Sequence, residues 1–254
     1  MPIPPAESPQ IPGRPCSPPD IRCTGADTSG GSPGSQLWVV AGDIHGRIRR
    51  VSEIPELKQA AGVILTGDLT TFGGKAAART VIKAFRAENP RIHALPGNMD
   101  RAEVNDLLEE SGISLHCRTH ELCPGAVLFG IGGSTISPWG SPTEFPEAFF
   151  STWLERLASA AACSRHLLLA VHEPPLNTIC DRLPNGSHVG SSAVRDFIDK
   201  HQPAACLCGH IHESAGIQRI GRCLAVNPGP FSSGRYATLT IPPEGVDAAL
   251  RRLR

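Results

Sequence analysis

Aromatic residues are scarce, at 5 % of a 254-residue chain that holds a single Tyr. Proteins that grip unpaired bases stack them on several aromatic side chains, so the scarcity argues against that mode of binding. An excess of charge of either sign is also missing. Lys+Arg and Asp+Glu both number 24, for a formal net charge of zero. A cationic footprint for nucleic acid or for an anionic membrane is therefore absent, and neither is the expected partner. No apolar run approaches the roughly 20 residues that a membrane helix needs. The nine Cys are an odd number and are scattered, which does not suit a closed disulfide framework. Several lie inside apolar runs, as Cys206 and Cys208 do in "AACLCGH", and that spacing matches no common zinc pattern. Buried reduced thiols are expected, and with them a reducing, cytoplasmic setting.

What the chain does have is Pro, Gly and Ser at its start. Residues 1–36 carry no apolar periodicity and cannot bury enough surface to offset chain entropy. They also lack the contiguous apolar stretch of a secretory signal. They read as a disordered tail, or as a stretch upstream of the true start, and one folded domain is expected over 37–254. From "LWVVA" onward, short apolar runs alternate with helical patterns. Strands are expected at 37–43, 61–68, 91–98, 126–134, 165–175 and 204–212. Helices are expected at 73–89, 101–112, 147–162 and 191–201, with a partly helical stretch over 52–61 despite Pro55. Two hairpin strands close the chain, and the final "RRLR" reads as a solvated terminus. Continuous apolar strands separated by helices predict parallel strands covered on both faces. The β-rich end predicts a second sheet packed on the first.

Polar residues with ligand chemistry cluster just beyond five of these strands. The first is followed by "GDIHG" with Asp43 and His45, the second by Asp68, and the third by "GNMD" with Asn98, Met99 and Asp100. Later come His172 in "VHEPP" and the pair His210 and His212 in "GHIH". Sites in α/β sheets form beyond the carboxyl ends of strands, so five such ends in one sheet are expected to converge on one crevice. His210 and His212 flank a single residue and are expected to share one side of an extended segment. Two Asp, one Asn and four His form a mixed O/N set without thiolates. That set suits Mn²⁺ first, with Fe or Zn²⁺ as alternatives, rather than Ca²⁺. Seven ligands exceed one tetrahedral ion and fit two ions sharing a carboxylate. Such ions stand about 3.5–4 Å apart, activate a water or hydroxide between them and clamp phosphoryl oxygens.

"GDIHG", "GD", "GNMD", "VHEPP" and "GHIH", in this order and each after a strand, resemble the calcineurin-like metallophosphoesterases, and the small prokaryotic members most. The resemblance runs from residue 37 to about 241. It implies a four-layer α/β/β/α sandwich of two mixed sheets. It implies a first metal on Asp43, His45, Asp68 and His212, and a second on Asp68, Asn98, His172 and His210, with Asp68 bridging. It implies hydrolysis of a small phosphoester substrate, with Asn98 also facing the phosphate.

One position departs from the family. Its motif usually reads G-N-H-D or G-N-H-E, and the His assists the leaving group or binds phosphate; here Met99 takes that place. A thioether cannot donate a proton. A positioned acid is typically worth about 10²–10⁴-fold in rate, so diesters or activated esters are expected over simple alkyl monoesters. His188, in the loop "CDRLPNGSHVGSS" with Asp181 and Arg182, is one replacement; Asp100, partner of the missing His in that motif, is either catalytic or a cap on the following helix. The remaining histidines are expected to be structural or on the surface. The rival reading is a non-catalytic scaffold, since one retromer subunit resembles this family in fold yet has lost part of the ligand set. The oligomeric state is not legible.

Overall fold

A computed structural model describes residues 35–160 and 164–254, so the expected tail lies outside it except for its last two residues. In chain order the first elements are β1 (Gln36–Ala41), β2 (Gly62–Leu65), α1 (Lys75–Glu88), β3 (Ile92–Ala94), α2 (Ala102–Glu110), β4 (Arg118–Cys123) and β5 (Ala126–Ile131). Two short strands, β6 (Ser134–Thr135) and β7 (Glu144–Phe145), precede α3 (Glu147–Ala160) and β8 (His166–Val171). The chain then runs through α4 (Ser192–His201), β9 (Ala205–Leu207), β10 (Gly216–Ile220), β11 (Cys223–Asn227), β12 (Arg235–Ile241) and β13 (Asp247–Arg252).

The strands form two mixed sheets, ordered β13-β12-β1-β2-β3 and β10-β11-β9-β8-β5-β4. β1, β2 and β3 are parallel to one another, as are β5, β8, β9 and β11. Side chains alternate along a strand, so each run serves two layers. In β1, Trp38 and Val40 point between the sheets and join Ile64, Leu128, Leu168 and Leu207. Val39 and Ala41 point the other way, toward Val81 and Phe85 of α1 and Leu108 of α2. On the far side, Phe129 and Leu169 meet Leu154 of α3 and Val194 of α4. The result is the four-layer α/β/β/α sandwich.

Local chemistry accounts for the helices. α1 buries Ala78, Val81, Ile82 and Phe85, one stripe at helical spacing. α4 starts at Ser191, whose hydroxyl accepts the Val194 N–H at 3.1 Å. Glu147 adds its carboxylate to the same helix end, accepting from Ser192 N and Ala193 N.

The structure corrects four expectations. Residues 52–61 form no helix; a 3₁₀ turn at Val51–Glu53 leads into irregular turns, and Pro55 lacks the N–H a helix would need. Of the β-rich end, β10 and β11 join the second sheet as expected, but β12 and β13 complete the first. "RRLR" is not a loose end, because Arg251 and Arg252 pair with β12 and Leu253 is buried. The five ligand-bearing strand ends belong to both sheets, with β1, β2 and β3 in one and β8 and β9 in the other. Among the described residues, no helix is long and apolar enough to cross a membrane.

Candidate metal centre

The carboxyl ends of β1, β2 and β3 are laced together by main-chain bonds. Asp43 N donates to Gly67 O at 3.0 Å and His45 N to Asp68 O at 2.9 Å. The other sheet is tied in where Gly209 N donates to His172 O at 3.1 Å, and where His210 N donates to Asp43 Oδ1 at 3.2 Å. These turns are tight. Asp43, His45, Asp68 and His210 all have φ between 49° and 70°, a left-handed conformation that L-residues adopt at a cost and that gathers at functional sites. A side chain at Gly97 would collide with Asp68, so glycine there lets the third loop close over the second.

Seven side chains meet in this crevice. Asp43, His45, Asp68 and His212 each offer a ligand atom, all within 4.8 Å of one another. His45 Nε2 lies 3.2 Å from His212 Nε2, which is 3.4 Å from Asp43 Oδ1. On the other side, Asn98 Oδ1 stands 3.1 Å from His172 Nε2 and 3.0 Å from His210 Nδ1. Asp68 joins the two groups: its Oδ2 is 3.7 Å from His45 Nε2 and its Oδ1 is 3.5 Å from His172 Nε2.

The donor chemistry fits cations. His172 Nδ1 sits 2.8 Å from Thr66 O, and a carbonyl only accepts, so Nδ1 carries the proton and Nε2 presents its lone pair. That lone pair faces the Asn98 carbonyl oxygen, two acceptors with no proton between them. Asp43 Oδ2 is buried and has no hydrogen-bond partner. Burial holds His45 and His172 below the usual histidine range, and burial with His172 nearby takes His210 to about 3, so all three are neutral ligands at pH 7. Burial, with the charges of Asp43 and Asp100, pushes Asp68 well up. Burial also pushes Asp43 up, but its bond to His212 together with the nearby His172, His212 and His210 outweighs this and holds the carboxyl low, while the same bond raises His212. Two buried carboxylates side by side are stabilised by a positive partner, and a divalent ion held by these side chains would supply it.

The other site expectations fare unevenly. Met99 is half-buried at the crevice; its N–H donates to Asp68 Oδ1 at 2.9 Å and its carbonyl accepts from Phe72 N. Asp100 does not cap α2, whose N-cap is Arg101 without a side-chain bond. Its buried carboxylate instead accepts from Gly97 N, Leu69 N, Thr70 N and the Thr70 hydroxyl, clamping the second loop to the third. His210 and His212 do not lie on an extended segment, because β9 ends at Leu207 and His210 turns with φ 70°. The turn sends His210 to Asn98 and His212 to Asp43. His188 bonds Asp181 at 2.7 Å within its own loop, and among the described residues no hydrogen bond or ion pair joins it to the seven. His93 packs at a tilt against Trp38 and His120, and His116 accepts from Gly132 N, both structural roles.

Several residues escaped the sequence reading. Glu173, inside the "VHEPP" motif, is buried, accepts from Thr135 N and lies 4.0 Å from His210 Nε2. Thr66 sets the His172 tautomer through its main chain, which no sequence signal marks. Ser141, on the loop between β6 and β7, reaches Asn98, and Glu144 at the end of that loop accepts from Ser141.

A four-layer sandwich with imidazole, carboxylate and amide ligands gathered at the carboxyl edges of both sheets is a scaffold for binding metal ions. The chain belongs to the calcineurin-like phosphoesterase family, whose model matches residues 38–214. That family comprises hydrolases acting on phosphoesters. The chain is 32 % identical over 201 residues to the protein MJ1162 of Methanocaldococcus jannaschii, covering 77 % of this chain and 89 % of that one. It is 29 % identical over 174 residues to the 3',5'-cyclic adenosine monophosphate phosphodiesterase CpdA of Escherichia coli K12, a match spanning 65 % of this chain and 59 % of CpdA. The crystal structure of TT1561 from Thermus thermophilus superposes with a TM-score of 0.63 at 15 % identity, covering 84 % of this chain and 98 % of that one, a likeness of fold.

Proposed function

We propose that this protein is a cytoplasmic phosphoesterase that uses two divalent ions to hydrolyse phosphodiester or activated phosphoester bonds of a small substrate. The observation that carries the reading is Asp68, with one oxygen toward His45 and the other toward His172. Asp43, His45 and His212 would complete the first ion's ligands, and Asn98, His172 and His210 the second's. Mn²⁺ is the first choice for both, with Fe or Zn²⁺ as alternatives. When bound, such ions activate an attacking water and neutralise the phosphoryl oxygens. The chain's own part is to hold seven ligands in place with their lone pairs inward. The Thr66 carbonyl orients His172, and the Met99 N–H orients Asp68. The complete ligand set favours catalysis over a scaffold that only binds a protein partner. Cys180, Cys206, Cys208 and Cys223 are buried free thiols, which supports a reducing compartment.

The preference for diesters rests on Met99. Its main-chain N–H is engaged by Asp68 and its thioether has no proton to give, so a poor leaving group gains no acid from this position. The name of CpdA, a phosphodiesterase, agrees with that preference. A panel of alkyl monoesters, diesters and cyclic nucleotides with Mn²⁺ added tests it. Diester hydrolysis at least about tenfold above alkyl monoester hydrolysis is expected. Equal rates refute the preference.

A further inference from the structure

Asn98 is the one amide among the seven side chains, and an amide can face an ion the wrong way round. Its amide presents an oxygen on one side and an NH₂ on the other, and only the oxygen binds a cation. We propose that Ser141 and Glu144 are positioning residues that lock the Asn98 amide with its oxygen toward the second ion. The inference rests on the two-ion reading of the site.

Hydrogen-bond direction fixes the amide. Ser141 Oγ lies 2.6 Å from Glu144 Oε1 and 3.0 Å from Asn98 Nδ2. A hydroxyl has a single proton. Glu144 is ionised and can only accept: burial pushes its carboxyl up, but bonds from Ser141 and Ser137 outweigh this and hold it below its ordinary value. The Ser141 proton therefore goes to Glu144, which leaves Ser141 only lone pairs to offer Asn98. The amide must answer with its NH₂, and its oxygen then points at His172 and His210, at 3.1 and 3.0 Å. Glu144 is itself fixed, accepting from the Ser137 hydroxyl at 2.8 Å and from Ser137 N at 3.2 Å. The loop is also stitched to the third ligand loop by groups independent of Ser141. Thr143 N donates to Asn98 O at 3.1 Å, and the Thr143 hydroxyl donates to Asp100 O at 2.6 Å. Removing the Ser141 hydroxyl thus frees the amide to flip while the loop stays attached. Outer partners that orient a ligand are typically worth about 10–100-fold in metal affinity.

The test titrates Mn²⁺ alone into the metal-free full-length chain by calorimetry, for the wild type, Ser141→Ala, Ser141→Thr and Glu144→Ala. Wild type is expected to take up two equivalents. Ser141→Ala should weaken the second by about 10–100-fold, leave the first unchanged and leave the metal-free melting temperature unchanged. Ser141→Thr, which keeps the hydroxyl, should restore the second equivalent, and Glu144→Ala should weaken it. A Ser141→Ala protein that binds the second equivalent as tightly as wild type overturns the relay while leaving the two-ion reading intact. A parallel loss of both equivalents, or no rescue by Thr, also overturns it. Wild type binding fewer than two equivalents overturns the two-ion reading, and the relay with it.

Discussion

Replacing Asp68 with Asn is expected to lower phosphoester hydrolysis by about 10²–10³-fold or more and to reduce bound metal, while the chain stays folded. The size follows from the loss of one charged group that stabilises charge at the reacting centre. Among the seven side chains, Asp68 is the one that reaches both halves of the crevice, so its charge would serve both ions at once. The choice of Asn protects the fold. The residue sits at φ 49°, a conformation Asn tolerates better than most side chains, and the volume hardly changes. The amide oxygen can still accept the Met99 N–H. Burial and the neighbouring Asp43 and Asp100 charges press on the Asp68 carboxylate, so a neutral amide should not lower the stability of the metal-free chain. Turnover, metal content and the unfolding transition of the variant check all three statements. A fully active, metal-replete Asp68→Asn protein would remove the bridging role.

Replacing Asp100 with Ala has its effect on stability instead. The carboxylate accepts three main-chain N–H groups, from Gly97, Leu69 and Thr70, together with the Thr70 hydroxyl. All lie in the interior, and no water reaches them easily once the acceptor is gone. A buried donor left unpaired costs about 1–3 kcal/mol, and with partial relaxation the sum is roughly 3–5 kcal/mol. At about 2–4 °C per kcal/mol for a domain of this size, the melting temperature should fall by about 10 °C. Because the clamp joins the loops that carry Asp68 and Asn98, metal affinity should fall as well. Asp100→Asn keeps one acceptor oxygen and should lie between Ala and wild type. A thermal transition within about 1 °C of wild type would show that the clamp carries no weight.

The gathering of these seven side chains was legible because most of them follow a short apolar run and a glycine. "VVAGDIH", "ILTGD" and "LCGHIH" announce a strand, a sharp turn and a donor, and that pattern needs no knowledge of which strands are neighbours. Sheet membership was not legible for the same reason. Strands buried on both faces read as continuous apolar runs whichever sheet they join. β4 and β13 escaped because edge strands such as "RTHELC" and "DAALRR" mix charge with short apolar segments. Asp100 misled because an Asp just before a helix looks like a cap, and only the burial of its carboxylate among amides of two loops separates the cases. His210 misled because a single residue at φ 70° breaks the alternation that an extended segment would impose. Ser141 and Glu144 carry no periodicity and no motif; the chain brings them to Asn98 only through the return of the loop between β6 and β7.

The central claim is that two ions gripped by these seven side chains perform the hydrolysis. Stripping the intact chain with a chelator and adding Mn²⁺ back in measured steps, while following hydrolysis of bis(p-nitrophenyl) phosphate, tests it most directly. The account predicts no turnover without metal and a rate that rises until two equivalents per chain are bound. Full turnover in the metal-free chain, or a rate that saturates at one equivalent, would contradict it.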